Sequence, residues 1–288
     1  MIDWSMLDKR QVRRSFEHAA STYDHAAVLQ REVATRALER LELVRINPSV
    51  IVDAGCGTGF ALPSLHQRYP RATLVALDIA FAMLQKSRAR IPGWKRWSGL
   101  SKAVFVCGDN ETLPLQAACA EMLWSNLSFH WANDLAALFA ECRRILTPGG
   151  LLMFTTFGPD TLKELRRAWA VDSNTHVNRF IDMHDIGDMM VAAGFSDPVM
   201  DMEYLTLTYN DIRALMRELK AVGAHNVAVG RSRGLTGKHS FQHIEMRYES
   251  LRQSGRLPAT FEVIYGHAWT PAPRLSPEGR QIIDIKAV

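Results

Sequence analysis

Val52-Asp53-Ala54-Gly55-Cys56-Gly57-Thr58-Gly59 is the stretch whose reading decides the fold. A short apolar run, Val50 to Val52, leads into it, and a segment of helical spacing closed by Pro70 follows. Glycines at 55, 57 and 59 let the backbone turn tightly after a strand and approach a ligand with no Cβ in the way. The helix that follows offers its free N–H groups to an anionic group. In the dinucleotide fingerprint the third glycine stands one position later, where this chain has Phe60, so the pattern argues against a nicotinamide cofactor.

The same rhythm extends outward. Thr73 to Leu77, Ala103 to Cys107, Met122 to Ser125 and Leu151 to Thr155 read as strands. Helices are predicted over Ala80 to Arg90 and Leu135 to Leu146, with a turn at Pro148-Gly149-Gly150. Alternating units of this length imply a Rossmann-like α/β fold, a parallel sheet with helices on both faces. Upstream, Phe16, Val28, Leu29, Val33, Ala37, Leu38 and Leu41 recur at helical spacing, interrupted near Ser21-Thr22-Tyr23-Asp24, which predicts two helices with a bend. Beyond Pro159, helices are predicted over Asp160 to Trp169, Met183 to Ala193, Asp211 to Val222 and Phe241 to Gln253, with strands over Met200 to Thr208 and Thr260 to His267. The whole predicts a mostly parallel seven-stranded sheet with an antiparallel last strand, N-terminal helices and a helical cap insertion. It divides into an N-terminal helical lid (1–45), a cofactor-binding core (46–159) and a C-terminal part with the cap and closing strands (160–288), all within one compact domain.

With 288 residues, 47% of them hydrophobic and 22% charged, the chain can bury a full core. A net charge of +4 is too mild for a dedicated nucleic-acid binder, yet favours an acidic partner. Cys56, Cys107, Cys119 and Cys142 show no CxxC spacing and read as reduced structural thiols. The polar start and the lack of a run of roughly 18 apolar residues point to a cytoplasmic protein with no membrane partner. His130, His176, His184, His225, His239 and His243 are not grouped with Cys or Glu at ligand spacing, so no metal site is expected.

Further signals gather at successive strand ends. Asp78 ends the second strand, where a carboxylate can accept from two ribose hydroxyls, or cap the helix from Ala80. Gly108-Asp109-Asn110-Glu111-Thr112-Leu113-Pro114 follows the third. With Asp53 ahead of the glycines, this arrangement resembles class I methyltransferases, which implies S-adenosylmethionine as methyl donor. The resemblance implies a methionyl end held by Asp53, Gly55, Cys56, Gly57 and Gly59. It implies an adenosine held by Asp78, Ile79, Met83, Asp109 and Asn110, with Asn126 and Leu127 completing the site, and with Asp109 reaching the adenine amino group.

Other segments are more specific. They are Val12 to Phe16 with Ser21 to Asp24, Ser125-Asn126-Leu127-Ser128-Phe129-His130-Trp131, Phe154 to Leu162, Asp182 to Asp188, Gly234 to Gly237, and Thr260 to Trp269. Together, from about residue 9 to 270, they resemble the malonyl-acyl-carrier-protein O-methyltransferases of biotin synthesis. The resemblance implies methyl esterification of the free malonyl carboxylate on acyl carrier protein. It also implies Tyr23 as a residue closing over cofactor and acceptor. The chain departs from the family pattern at His130, where many members have Gln, so any acceptor contact there differs in hydrogen bonding. Arg179 is a candidate to meet the carboxylate with paired N–H groups, and Phe129, Trp131, Phe157 and Phe180 to wall a dry pocket. Because the carrier is acidic, Arg231, Arg233 and Lys238, with Arg247 and Arg252, are candidates for its docking face. Two alternatives stay open: a small acceptor such as a quinone carbon or a free dicarboxylate, and an assembly factor that keeps the fold without methyl transfer.

Overall fold

The computed structural model describes residues 6–90, 103–169, 178, 180–229 and 238–272. Three helices come first, α1 (Lys9–Ala19), α2 (Tyr23–Ala26) and α3 (Val28–Leu41). The bend predicted near Tyr23 therefore holds a short helix of its own. The core then alternates β1 (Val50–Ala54), α4 (Leu62–Arg68), β2 (Thr73–Asp78), α5 (Phe81–Arg90), β3 (Ala103–Cys107), β4 (Ala120–Ser125), a 3-10 turn (Phe129–Trp131), α6 (Leu135–Ile145) and β5 (Leu146–Phe157). It closes with α7 (Lys163–Trp169), α8 (Met183–Ala192), β6 (Ser196–Tyr209), α9 (Ile212–Ala221), α10 (Lys238–Glu249) and β7 (Leu257–Trp269).

The seven strands form one sheet in the order β3-β2-β1-β4-β5-β7-β6. All pairings from β3 to β5 are parallel, and β7 runs antiparallel to both neighbours. Because β1 sits centrally and the chain reverses its direction of winding between β1 and β4, a crevice opens at the strands' carboxyl ends, where such folds bind ligands. Each sheet face carries its own core. Leu41, Ile51, Leu65, Trp124, Tyr248 and Val263 belong to one, under α3, α4, α7, α9 and α10. Val52, Leu123, Phe139, Ile145, Met190 and Ile264 belong to the other, under α6 and α8.

Helix starts follow from aspartates. Asp8, Asp134, Asp182 and Asp211 each accept from backbone N–H groups of the first turn of α1, α6, α8 and α9, satisfying donors that a helix leaves free. The turn predicted at Pro148-Gly149-Gly150 lies instead inside β5, so α6 ends at Ile145 rather than Leu146. Thr270 explains this: its carbonyl and hydroxyl accept from the Gly149 and Gly150 N–H groups, and its own N–H donates to Gly150. Glycine without a Cβ takes the positive φ of +75° at 149, and the strand resumes with Leu151 paired to Met122.

Candidate cofactor and acceptor site

The glycine loop is folded by its own backbone. The N–H groups of Gly55 and Cys56 both donate to the Leu77 carbonyl, at 2.8 and 2.9 Å, tying the loop after β1 to the end of β2. Asp78 then joins loop to helix, its Oδ2 accepting from Gly57 N–H and its Oδ1 from Ala80 N–H, both at 2.8 Å. Burial lifts its carboxyl to about 6, against those two hydrogen bonds, which lower it, and a smaller upward push from Glu17. The ribose role and the capping role inferred from sequence are compatible, because the carboxylate has lone pairs beyond these two bonds.

Two compartments with shared lining residues lie over the loop. One, enclosing about 610 Å³ partly open to solvent, is lined among others by Phe16, Gly55, Asp78, Ile79, Met83, Asp109, Asn110, Leu127, Ser128 and Trp131. The other, about 480 Å³ and likewise partly open to solvent, is lined by Asp53, Cys56, Thr58, Trp124, Arg31 and neighbours. Tyr23, Gly55, Gly57 and Asn126 border both. The first has the residues for a nucleoside and the second those for a charged tail. In the second, Asp53 Oδ2 is buried with no hydrogen-bond partner, and burial, then the charge of Asp78, pushes this carboxyl up to about 8. An orphaned buried acceptor of this kind fits an ammonium group such as the one S-adenosylmethionine carries. Burial raises the Cys56 thiol, so it is a space-filler here and not a nucleophile.

Asn126, Asn110, Asp109 and Tyr23, also singled out from the sequence, line this crevice. Asn126 donates to the Gln30 carbonyl and accepts from Thr155 Oγ1, while Asn110 Nδ2 donates to Ser128 Oγ at 2.8 Å. Asp109 Oδ1 is engaged by Lys9 Nζ at 3.0 Å and by Glu111 N–H at 3.1 Å, so the carboxylate expected at adenine also anchors α1. Tyr23 lies over Gly57, and burial with the nearby Asp78 and Asp24 charges keeps its hydroxyl protonated. The His130 ring packs against Phe157, Trp131 and Phe180 at 4.8, 5.2 and 5.8 Å. Burial holds its imidazole down to about 3, and its Nδ1 has no partner.

Phe129 departs from the expected pocket wall. It is 1% exposed and packs in the core against Phe139 and Phe154, whereas Trp131 lines the crevice edge-on to Phe16. Arg252 is taken up by Glu249, the Asn210 carbonyl and the Gly255 carbonyl, a clamp on the β6–β7 connection rather than a free docking cation. Arg247 stands in the last turn of α10 and Lys238 opens that helix. Arg179, Arg231 and Arg233 lie outside the described residues. Among the described residues no group of three His, Cys, Asp or Glu side chains is placed to hold a metal, and no helix is long and apolar enough to cross a membrane.

The family described as "Methyltransferase domain" matches residues 52–154. A crystal structure of an S-adenosylmethionine-dependent methyltransferase from Thermotoga maritima shares the fold, with a TM-score of 0.50 and 16% identity over 88% of this chain and 98% of that one. The chain is 54% identical to the malonyl-[acyl-carrier protein] O-methyltransferase of Nitrosospira multiformis, over 97% of this chain and 96% of that protein. It is 55% identical to the one from Methylovorus sp., over 99% and 97%. The chain belongs to the malonyl-[acyl-carrier protein] O-methyltransferase family.

In this methyltransferase the residues missed from sequence are those that fasten α1 and α2 onto the cofactor loops. Lys9 bridges Asp109 and Glu111, and Glu17 accepts from the Phe81 and Ala82 N–H groups at the start of α5. Asp24 accepts from Thr58 Oγ1 at 2.6 Å and pairs with Arg90 at 2.8 Å. These contacts land on the glycine loop, the turn after β3 and helix α5, and so tie the N-terminal helices to elements that border the crevice. Lys9→Ala is expected to raise the dissociation rate of S-adenosylhomocysteine about five-fold, since a partly exposed pair contributes about 1 kcal/mol. The parent's rate should approach the variant's as salt screens the pair, which stopped-flow measurements over a salt series would read.

Proposed function

We propose that the protein transfers the methyl group of S-adenosylmethionine to the free carboxylate of a malonyl group carried on acyl carrier protein. The observation that carries this reading is the reach of the identity to the named relatives. It covers 97% and 99% of the chain, including the N-terminal helices and both closing strands, and not only the 52–154 segment that a general methyltransferase domain would share.

S-adenosylmethionine supplies an electrophilic methyl group on a sulfonium. The chain's part is to bind, align and exclude water. Asp78 takes the ribose, the glycine loop takes the methionyl end, and Tyr23, set between the two compartments, closes over the reacting region. An acceptor carboxylate with an ordinary pKa near 4 is already an anion at neutral pH, so no side chain has to remove a proton. A neutral His130 among Phe157, Trp131 and Phe180 suits that chemistry, because it adds no positive charge that would hold the nucleophile back. Arg179 is assigned to the incoming carboxylate, in a pairing that loosens as the oxygen is alkylated. The ester hides the charge and lets apolar elongation sites accept the primer, the step that the family resemblance places at the start of pimeloyl synthesis for biotin. The acidic carrier is assigned to a face that includes Arg231, Arg233 and Lys238, and the reaction to the cytoplasm.

The test mixes purified protein, methyl-labelled S-adenosylmethionine and malonyl-acyl carrier protein. Base-labile label on the carrier is the expected result. Label on free malonate or a quinone with none on the carrier would overturn the acceptor assignment.

A further inference from the structure

The solvent face of α9 carries cations that the acids around it leave uncommitted. Arg213, Arg217 and Lys220 recur at i, i+4 and i+7, away from the buried Ile212 and Leu215, so they form one stripe along the helix. Arg213 fastens α9 to α10, its Nε 3.3 Å from Glu245 Oε1 and its guanidinium over the Phe241 ring. The other acids of the two helices are engaged elsewhere: Asp211 caps α9, Glu218 accepts from the Tyr209 hydroxyl, and Glu249 holds Arg252. Among the described residues, the side chains of Arg217 and Lys220 on α9 and of Arg247 on α10 form no ion pair. On the same two helices Met216 and Met246 are 36% and 60% exposed, which puts apolar, flexible side chains on a basic surface.

This surface ends at the crevice. Thr22 Oγ1, at the start of α2, donates to the Ala221 carbonyl at 2.9 Å, so the C-terminal end of α9 abuts the short helix that holds Tyr23. Gly223, just beyond α9, lies against Phe16 and Ala19 of α1, and Phe16 lines the crevice. A protein seated on α9 therefore stands beside the lip that α1 and α2 form, next to the region that Tyr23 covers.

We propose that the outer faces of α9 and α10, through Arg217, Lys220, Arg247, Met216 and Met246, dock an acidic amphipathic helix of the malonyl-bearing carrier. The proposal rests on the carrier reading above, and it extends the face assigned there through Lys238 from α10 onto α9. The cations meet the carboxylates of the incoming helix and set its register, while the unbranched methionines adapt to its apolar residues.

The test measures steady-state methyl transfer by the full chain to two acceptors, malonyl-acyl carrier protein and malonyl-pantetheine, which presents the same thioester with no protein attached. Arg217→Glu and Lys220→Glu are each expected to raise KM for the carrier about ten-fold, with kcat within about two-fold of the parent and both constants for malonyl-pantetheine unchanged. Retained turnover of malonyl-pantetheine certifies that each variant is folded and binds its cofactor. Lys86→Glu makes the same change of charge at an exposed position of α5 and should move KM for the carrier by less than about two-fold. Added salt should raise the parent's KM for the carrier toward that of the variants, because screening removes the attraction they lack. A carrier KM unmoved by Arg217→Glu and Lys220→Glu, a rise as large with Lys86→Glu, or an equal rise with malonyl-pantetheine overturns the assignment. A parent that methylates neither acceptor would instead remove the acceptor reading beneath it.

Discussion

Asp78→Ala is expected to lower affinity for S-adenosylhomocysteine by at least about 100-fold, because two hydroxyl hydrogen bonds to a charged acceptor contribute about 3 to 6 kcal/mol together. The loss has a second source in the protein. The same carboxylate holds Gly57 N–H and Ala80 N–H, so the variant frees the middle of the glycine loop as well as the proposed ribose contact. Folding should survive, since Glu17 still caps α5 through Phe81 and Ala82 and a lost cap costs about 1 kcal/mol. The pH dependence separates the two effects. The folded state raises this carboxyl from 3.8 to about 6 and so binds its proton more tightly than the unfolded chain. Its stabilising contribution is complete below the unfolded value and is lost as pH rises through the folded one. Melting temperatures of variant and parent should therefore converge between pH 4 and 7, while the binding defect grows over the same range as the carboxyl ionises and becomes the charged acceptor. Affinity within about three-fold of the parent would remove Asp78 from the ribose.

What the sequence made legible was local and periodic. Strand β2, helix α5 and the position of Asp78 between them follow from apolar spacing and a polar residue at a strand end, and the structure has β2 ending at Asp78 itself. Misreadings occurred where a distant residue decides the geometry. The segment from Pro148 looks like a turn until Thr270, about 120 positions away, supplies the partners that keep it in β5. Aromatics in Phe129-His130-Trp131 could not be sorted from composition. A 3-10 turn rotates successive residues by about 120°, which sends Phe129 inward and leaves Trp131 at the crevice. Lys9 and Glu17 gave no periodic signal at all, since their partners stand 100 and 64 residues further along. Their acceptors were legible, as an acidic turn after β3 and a helix start after β2, but nothing local says which cation or carboxylate will cross the crevice.

Gly55→Ala is the substitution expected to be least tolerated. Gly55 adopts φ +76°, where an alanine costs about 1 to 2 kcal/mol, and its added Cβ would stand 2.0 Å from Ser128 Oγ and 2.4 Å from Ser128 Cβ. Turning the Ser128 side chain moves only the oxygen, so the β1 loop and the β4 loop must separate. That separation would stretch the Gly55 and Cys56 N–H bonds to Leu77 on one side and the Asn110–Ser128 bond of 2.8 Å on the other. The crevice is therefore expected to lose cofactor binding below detection, with the melting temperature falling by about 5 to 10 °C. The pair Gly55→Ala with Ser128→Gly distinguishes collision from backbone strain. Removing the Ser128 side chain takes away both clashing atoms and leaves only the positive-φ penalty, so the double variant should regain most of the melting temperature with a coupling of about 1 to 3 kcal/mol. Cofactor affinity should return only in part, because Asn110 would have lost its partner at the adenosine compartment. No regain of stability in the double variant would mean that the loop is held at Gly55 by its φ alone and that its closeness to Ser128 does not set the shape of the site.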